Sequence, residues 1–218
     1  MFDSRWSRLT CQITLVMTLS TAANAQYCAD GTASPCIQAK QQAANNPYMI
    51  SIYAPADCDN EIQSAAATWT AAGSRFALED FSYYGSDYIT AGAQSGFQIV
   101  FNTAAEMGIY GSGNAVTFYG NSVGSWTRPD GTAVPVVNDA DIVVNEDRYA
   151  SGTIECSATV YSNKYDLTRT MAHEFGHAVG LNHNTNTACA TYKVAQMIAF
   201  SSLCTPEKDA ARTIYGTP

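Results

Sequence analysis

The chain has 218 residues, 46% of them hydrophobic and only 14% charged, with a formal net charge of −8 at pH 7. That acidity argues against nucleic acid or an anionic membrane as a partner, while the length and apolar fraction suffice for a domain with a real core. No apolar run approaches the roughly 18 to 20 residues a spanning helix requires, so no membrane anchor is expected.

Residues 1–25 read as an export signal: Arg5 and Arg8 supply a positive start, Ile13 to Leu19 a short apolar core, and Ala23-Asn24-Ala25 a small-residue cleavage site. The product is expected outside the cell or in a periplasm, as a monomer. Removing the signal discards Cys11 and leaves Cys28, Cys36, Cys58, Cys156, Cys189 and Cys204. An even number of cysteines in an exported chain points to disulfides, and six of them allow fifteen pairings among which spacing does not choose. The expected set is Cys28 with Cys36, Cys58 with Cys156, and Cys189 with Cys204, the last closing a loop around Met197. No C-x-x-C spacing supports zinc ligation by these cysteines.

Residues 26–47 are rich in Ala, Gln, Asn and Gly and read as a loosely structured arm tied down by its cysteines. Tyr48 to Tyr53 alternates enough for a strand. Asp59 is placed to cap a helix through Ile62, Ala66, Trp69 and Ala72, with Gly73 past its end. Strands are expected at Phe76 to Phe81, Phe97 to Phe101, Ala115 to Tyr119 and Asp141 to Val144, separated by glycine-rich connections. A helix follows over about Asp166 to Val179. A last helix starts at Thr205-Pro206, a cap followed by a proline at the first helical position, with Glu207 and Asp209 near its positive end, and finishes at Tyr215-Gly216. Strands with an early helix and two late ones fit an α+β domain with a twisted, largely parallel sheet.

All three histidines of the chain fall in His173-Glu174-Phe175-Gly176-His177-Ala178-Val179-Gly180-Leu181-Asn182-His183. Helical residues four apart share a face, so His173 and His177 can point at one ion, and Glu174 beside them can reach a water on it without ligating. Ten residues of straight helix would carry His183 about 15 Å away, so the helix must stop first. Gly180 is the stop, because glycine takes positive φ without steric cost. His183 then returns as a third ligand and leaves the fourth tetrahedral position open, the pattern of a catalytic rather than a structural zinc.

HEFGHAVGLNH resembles the metzincin zinc-endopeptidase signature HExxHxxGxxH. Tyr165-Asp166-Leu167 leading into Met171-Ala172-His173-Glu174, and the closing Ile214-Tyr215-Gly216, are similar to the matrixin branch. The resemblance implies a metzincin-like catalytic domain over 48–218, with a twisted mixed sheet, an active-site helix and a C-terminal helix. It places the cleft between an upper and a lower subdomain. It also implies hydrolysis of peptide bonds in a protein or peptide substrate by a zinc-activated water, with Glu174 as general base and then acid. Met197 becomes the candidate for the methionine turn beneath the metal. The strand containing Ala115, Val116, Thr117 and Phe118 becomes the candidate edge that receives an extended peptide.

Departures from the family are as informative. No histidine is left for a second, structural zinc, so one catalytic zinc is expected. Ala199 stands where the astacin-like branch carries a tyrosine, and the inhibitory PRCGxPD segment of matrixins is missing. Asp139, Asp141, Glu146 and Asp147 are candidate calcium ligands, although their spacing matches no loop motif. The rival reading from another class is an inactive zinc-binding adhesion or inhibitor module, against which the retained Glu174 speaks. A hydrolase of non-peptide amides is a third.

Overall fold

The computed structural model describes residues 37–86, 89, 96–103, 113–156, 163–184, 186–192, 197 and 200–218. The expected export signal and the Cys28–Cys36 pair lie outside them. In chain order the elements are β1 (Lys40–Gln41), β2 (Asn45–Ser51), a 3-10 turn (Ala56–Cys58), α1 (Asp59–Thr70), β3 (Ala77–Tyr84), β4 (Phe97–Asn102) and β5 (Ala115–Tyr119). There follow β6 (Ser122–Thr127), β7 (Ala133–Val137), β8 (Ala140–Asn145), α2 (Glu146–Ala150), β9 (Ile154–Glu155), β10 (Tyr165–Asp166), α3 (Leu167–Val179) and α4 (Thr205–Tyr215).

The main sheet runs β3-β2-β4-β8-β5, parallel throughout except for β5, which pairs antiparallel with β8. The central strands β4 and β8 carry the runs Phe97-Gln98-Ile99-Val100-Phe101 and Ile142-Val143-Val144, buried on both faces as covered parallel strands must be. β5 is only half-buried and lies at the sheet edge. This is the α+β mixed sheet expected.

Helix α3 packs on the sheet at β5 and β8, beside α1, which packs on it at β3. Its Leu167, Met171, Ala172, Phe175, Ala178 and Val179 are sealed from solvent, as are Ile62, Ala65 and Trp69 of α1. Trp69 donates from its indole Nε1 to the Ala172 carbonyl at 2.8 Å, so a large apolar side chain also satisfies its one polar atom. Gly176 permits the contact: a Cβ there would fall 2.3 Å from Thr191 Cγ2 and 3.0 Å from the Trp69 ring. Two of the expected disulfides are formed, Cys58–Cys156 and Cys189–Cys204.

Several local expectations need correction. Asp59 is the first residue of α1 rather than its cap, because the preceding 3-10 turn already sets the chain direction and puts Cys58 at the N-cap. Cys204 likewise precedes α4, with Thr205 and Pro206 in the first turn and Glu207 reaching back to the Cys204 N–H. Residues 37–47, read as part of a loose arm, are ordered by partners distant in sequence. β1 pairs with β7, in a small sheet of order β1-β7-β6, and Gln41 donates to the Ala178 carbonyl at 2.8 Å.

Candidate metal centre

Helix α3 begins where Asp166 Oδ1 accepts from the Thr168 N–H at 2.8 Å, an N-cap that relieves one of the unpaired first-turn donors. It ends at Gly180, whose φ of 110° lies in the left-handed region and lets the Gly180 and Leu181 N–H groups turn back onto the His177 and Gly176 carbonyls. The tolerance is also steric, since a Cβ on Gly180 would meet the Ala39 carbonyl oxygen at 2.1 Å. The chain reverses there and carries His183 back beside the helix.

The three imidazoles converge. One donor nitrogen from each of His173, His177 and His183 lies within 4.8 Å of the others, and the ring centroids stand 4.7 to 5.2 Å apart. His173 Nδ1 faces the Ala190 carbonyl at 2.9 Å and His177 Nδ1 faces the Leu181 carbonyl at 2.7 Å. A carbonyl only accepts, so both Nδ1 atoms carry the proton and both Nε2 atoms present lone pairs. Those two Nε2 atoms are 3.0 Å apart. Two lone pairs at that separation repel unless a cation sits between them. Nitrogens each about 2.0 to 2.1 Å from a tetrahedral zinc lie roughly 3.3 Å from one another, so the donor set fits zinc. Burial, then the neighbouring imidazoles, holds the His173 pKa well below the ordinary histidine range, and burial followed by His177 lowers that of His183. Both shifts keep the rings neutral, the form that ligates.

Glu174 is buried at the wall of a cleft of about 420 Å³ that also contains the three histidines. Burial raises its pKa, against the lowering effects of His177 and of a hydrogen bond from Thr117. Thr117 Oγ1 stands 2.6 Å from Glu174 Oε2. Two residues along β5, Tyr119 donates from its hydroxyl to the His177 carbonyl at 2.6 Å and accepts from Gln38 Nε2 at 2.8 Å. Residues 115, 117 and 119 share one face of the strand, and that face looks onto the helix. Of the candidate substrate residues, Ala115, Val116 and Thr117 line the cleft. Phe118 is not part of that lining and packs against Val100 and Val143, which Val116 also touches.

Met197, the candidate for the methionine turn, is 41% exposed. The buried support for the centre comes instead from Glu207, an acid the sequence marked only as a helix-terminus charge. Its carboxylate accepts from the N–H groups of Ala190, Thr191 and Cys204 and from the Thr191 hydroxyl, at 2.7 to 3.2 Å. It thereby fixes the segment whose Ala190 carbonyl orients His173. The S/T-x-x-E-like spacing at the start of α4 was its only signal.

The acidic candidates split into two groups. Glu146 and Asp147 are exposed in the first turn of α2, where they face its positive end and join no buried cluster. Asp139 and Asp141 are 1% and 3% exposed, two residues apart at the start of β8. Asp139 Oδ2 and the neighbouring Asn138 Oδ1 are buried without a hydrogen-bond partner among the described residues. Burial pushes Asp139 up to about 6, and burial together with the Asp139 charge pushes Asp141 to about 7.

A family model described as matrixin matches residues 53–216. No curated protein matches the chain.

Proposed function

The chain belongs to the matrixin family of metzincins, and from that premise we propose that it is an exported zinc endopeptidase with Glu174 as its general base and acid. The observation that carries the reading is the convergence of three imidazole nitrogens beside one buried carboxylate in a single cleft. Zinc held by His173, His177 and His183 would supply Lewis acidity, lowering the pKa of water toward about 7 and polarising a carbonyl. Glu174 takes the proton of the attacking water and returns it to the leaving amine, so one carboxylate serves both proton transfers. An extended peptide lies along the outer edge of β5, hydrogen-bonded main chain to main chain, with its scissile bond beside the helix. A binding or inhibitor module of the same fold has no use for a carboxylate held at that place. The two disulfides fit an oxidising compartment, and no helix among the described residues is long and apolar enough to cross a membrane.

Cleavage of a fluorogenic peptide panel tests this. Activity should vanish with a chelator and return with zinc; cleavage indifferent to the chelator would contradict it.

Calcium is the second ion of the reading, at Asp139 and Asp141. A hard cation takes oxygen ligands, and the buried oxygens without partners at Asp139 and Asn138 suit one. Without an ion, the folded protein favours the neutral acids. The folded Asp141 pKa of about 7 exceeds the unfolded value near 3.8. Stability from this group is therefore complete below about pH 4 and lost as pH rises through about 7. In calcium-free buffer at pH 8, Asp141→Asn should melt higher than the wild type, because the amide keeps the acceptor for the Gln98 N–H and carries no charge. Calcium should raise the wild-type Tm and leave the variant's unchanged. A wild-type Tm indifferent to calcium would remove the ion from the account.

A further inference from the structure

We propose that Thr117 is a positioning residue for Glu174, fixing the orientation of its carboxylate from the strand along which the substrate lies; the inference rests on the endopeptidase reading above. Thr117 Oγ1 is 2.6 Å from Glu174 Oε2 and 3.0 Å from the Glu174 main-chain oxygen. One hydroxyl has one proton to give. The main-chain oxygen belongs to the helix ladder, whereas an ionised carboxylate oxygen is the stronger acceptor, so the proton goes to Oε2. Oε1 has no hydrogen-bond partner among the described residues and is not sealed from solvent, so it opens on the cleft that Glu174 lines. The two oxygens are thereby made inequivalent: one is held by the strand and the other is left to exchange protons with water.

The holding matters because a glutamate has three side-chain torsions to order and the cleft side of this one is open. Thr117 is suited to the task, since β-branching restricts its χ1 and its backbone is anchored in the sheet by pairing with Ile142. The neighbouring inward residue of β5 acts on the same helix, through the Tyr119 hydroxyl on the His177 carbonyl. β5 thus touches both the proton-transfer residue and the main chain of a metal ligand. A peptide pairing with its outer edge is placed in register with the carboxylate by the same strand. Thr117 contacts no reacting atom itself. Its effect belongs on the rate of the bound complex rather than on binding.

The experiment compares wild type, Thr117→Val, Thr117→Ala and Thr117→Ser, each assayed for bound zinc, thermal unfolding, and kcat and KM on a fluorogenic peptide. Valine keeps the shape and loses the hydroxyl; serine keeps the hydroxyl and loses a methyl. Expected are wild-type zinc content in all four, and a kcat for Thr117→Val reduced roughly 10- to 100-fold with KM within about twofold. Thr117→Ser should recover most of that kcat. A crystal structure of the metal-free valine variant should show the Glu174 carboxylate rotated from its wild-type orientation. A valine variant with wild-type kcat, or a serine variant as impaired as valine, would overturn the proposal while leaving the endopeptidase reading intact. So would loss of fold or zinc in both the valine and alanine variants, which would make Thr117 a structural residue. A zinc-loaded wild type that cleaves no peptide defeats the endopeptidase reading, and this inference with it.

Discussion

Glu174→Ala is expected to keep its zinc and to lose peptide cleavage by roughly 10²- to 10⁴-fold. The two halves of that result come from different atoms. The proposed metal donors are imidazole nitrogens of His173, His177 and His183, and two of those rings are oriented by the carbonyls of Ala190 and Leu181, none of which belongs to Glu174. The carboxylate contributes only the proton transfers. Removing it also removes a buried acid whose pKa burial raises, so the fold has no charge-related reason to weaken. Glu174→Gln sharpens the test: it keeps the side-chain length and an acceptor for Thr117 but cannot take a proton. Zinc content by elemental mass spectrometry, measured on the same samples as kcat/KM, separates the two effects. Unimpaired turnover in either variant would remove Glu174 from the mechanism.

His177→Ala is the second large effect, and it acts on the metal itself. His177 stands beside both other proposed ligands, with its Nε2 3.0 Å from that of His173 and its ring 4.8 Å from that of His183. Its loss leaves two imidazoles, one of them exposed, to hold an ion that tetrahedral sites of this kind hold with three. The affinity should fall by well over the roughly 10- to 100-fold that loss of an outer hydrogen-bond partner of a ligand costs. Cleavage should then fall below detection in dialysed protein. Equilibrium dialysis against zinc reads the affinity directly. Stoichiometric, tight zinc in the variant would show that the ion is held elsewhere.

The convergence of the three histidines was legible because its signals are local. Helical periodicity aligns His173 with His177, and a glycine needed at positive φ ends the helix before His183; both follow from eleven contiguous residues. The early helix around Trp69 and the buried strands at Phe97 and Ile142 were legible for the same reason, as periodic or continuous apolar runs. What surrounds the centre depends on partners far apart in the chain. Gln38 reaches Tyr119 across 81 positions and Gln41 reaches Ala178 across 137, so the segment before β2 carried no local mark of its docking. Glu207 read as a helix-end charge because its four donors come from three residues brought together by folding. Thr117 lay in the expected edge strand, but strand alternation gives a side chain's face and not its partner. Met197 and Phe118 took their expected roles from the family resemblance, and no local pattern gave the exposure of the one or the packing of the other against Val100 and Val143.

The central claim is that one zinc is held by three imidazoles beside the Glu174 carboxylate. Anomalous diffraction from crystals of the purified protein, recorded on both sides of the zinc absorption edge, tests it most directly. The account predicts a single strong peak bonded to Nε2 of His173 and His177 and to the His183 ring, within about 2.0 to 2.1 Å of each nitrogen. A zinc-replete crystal with no peak between those rings, or with His183 turned away from the ion, would contradict it.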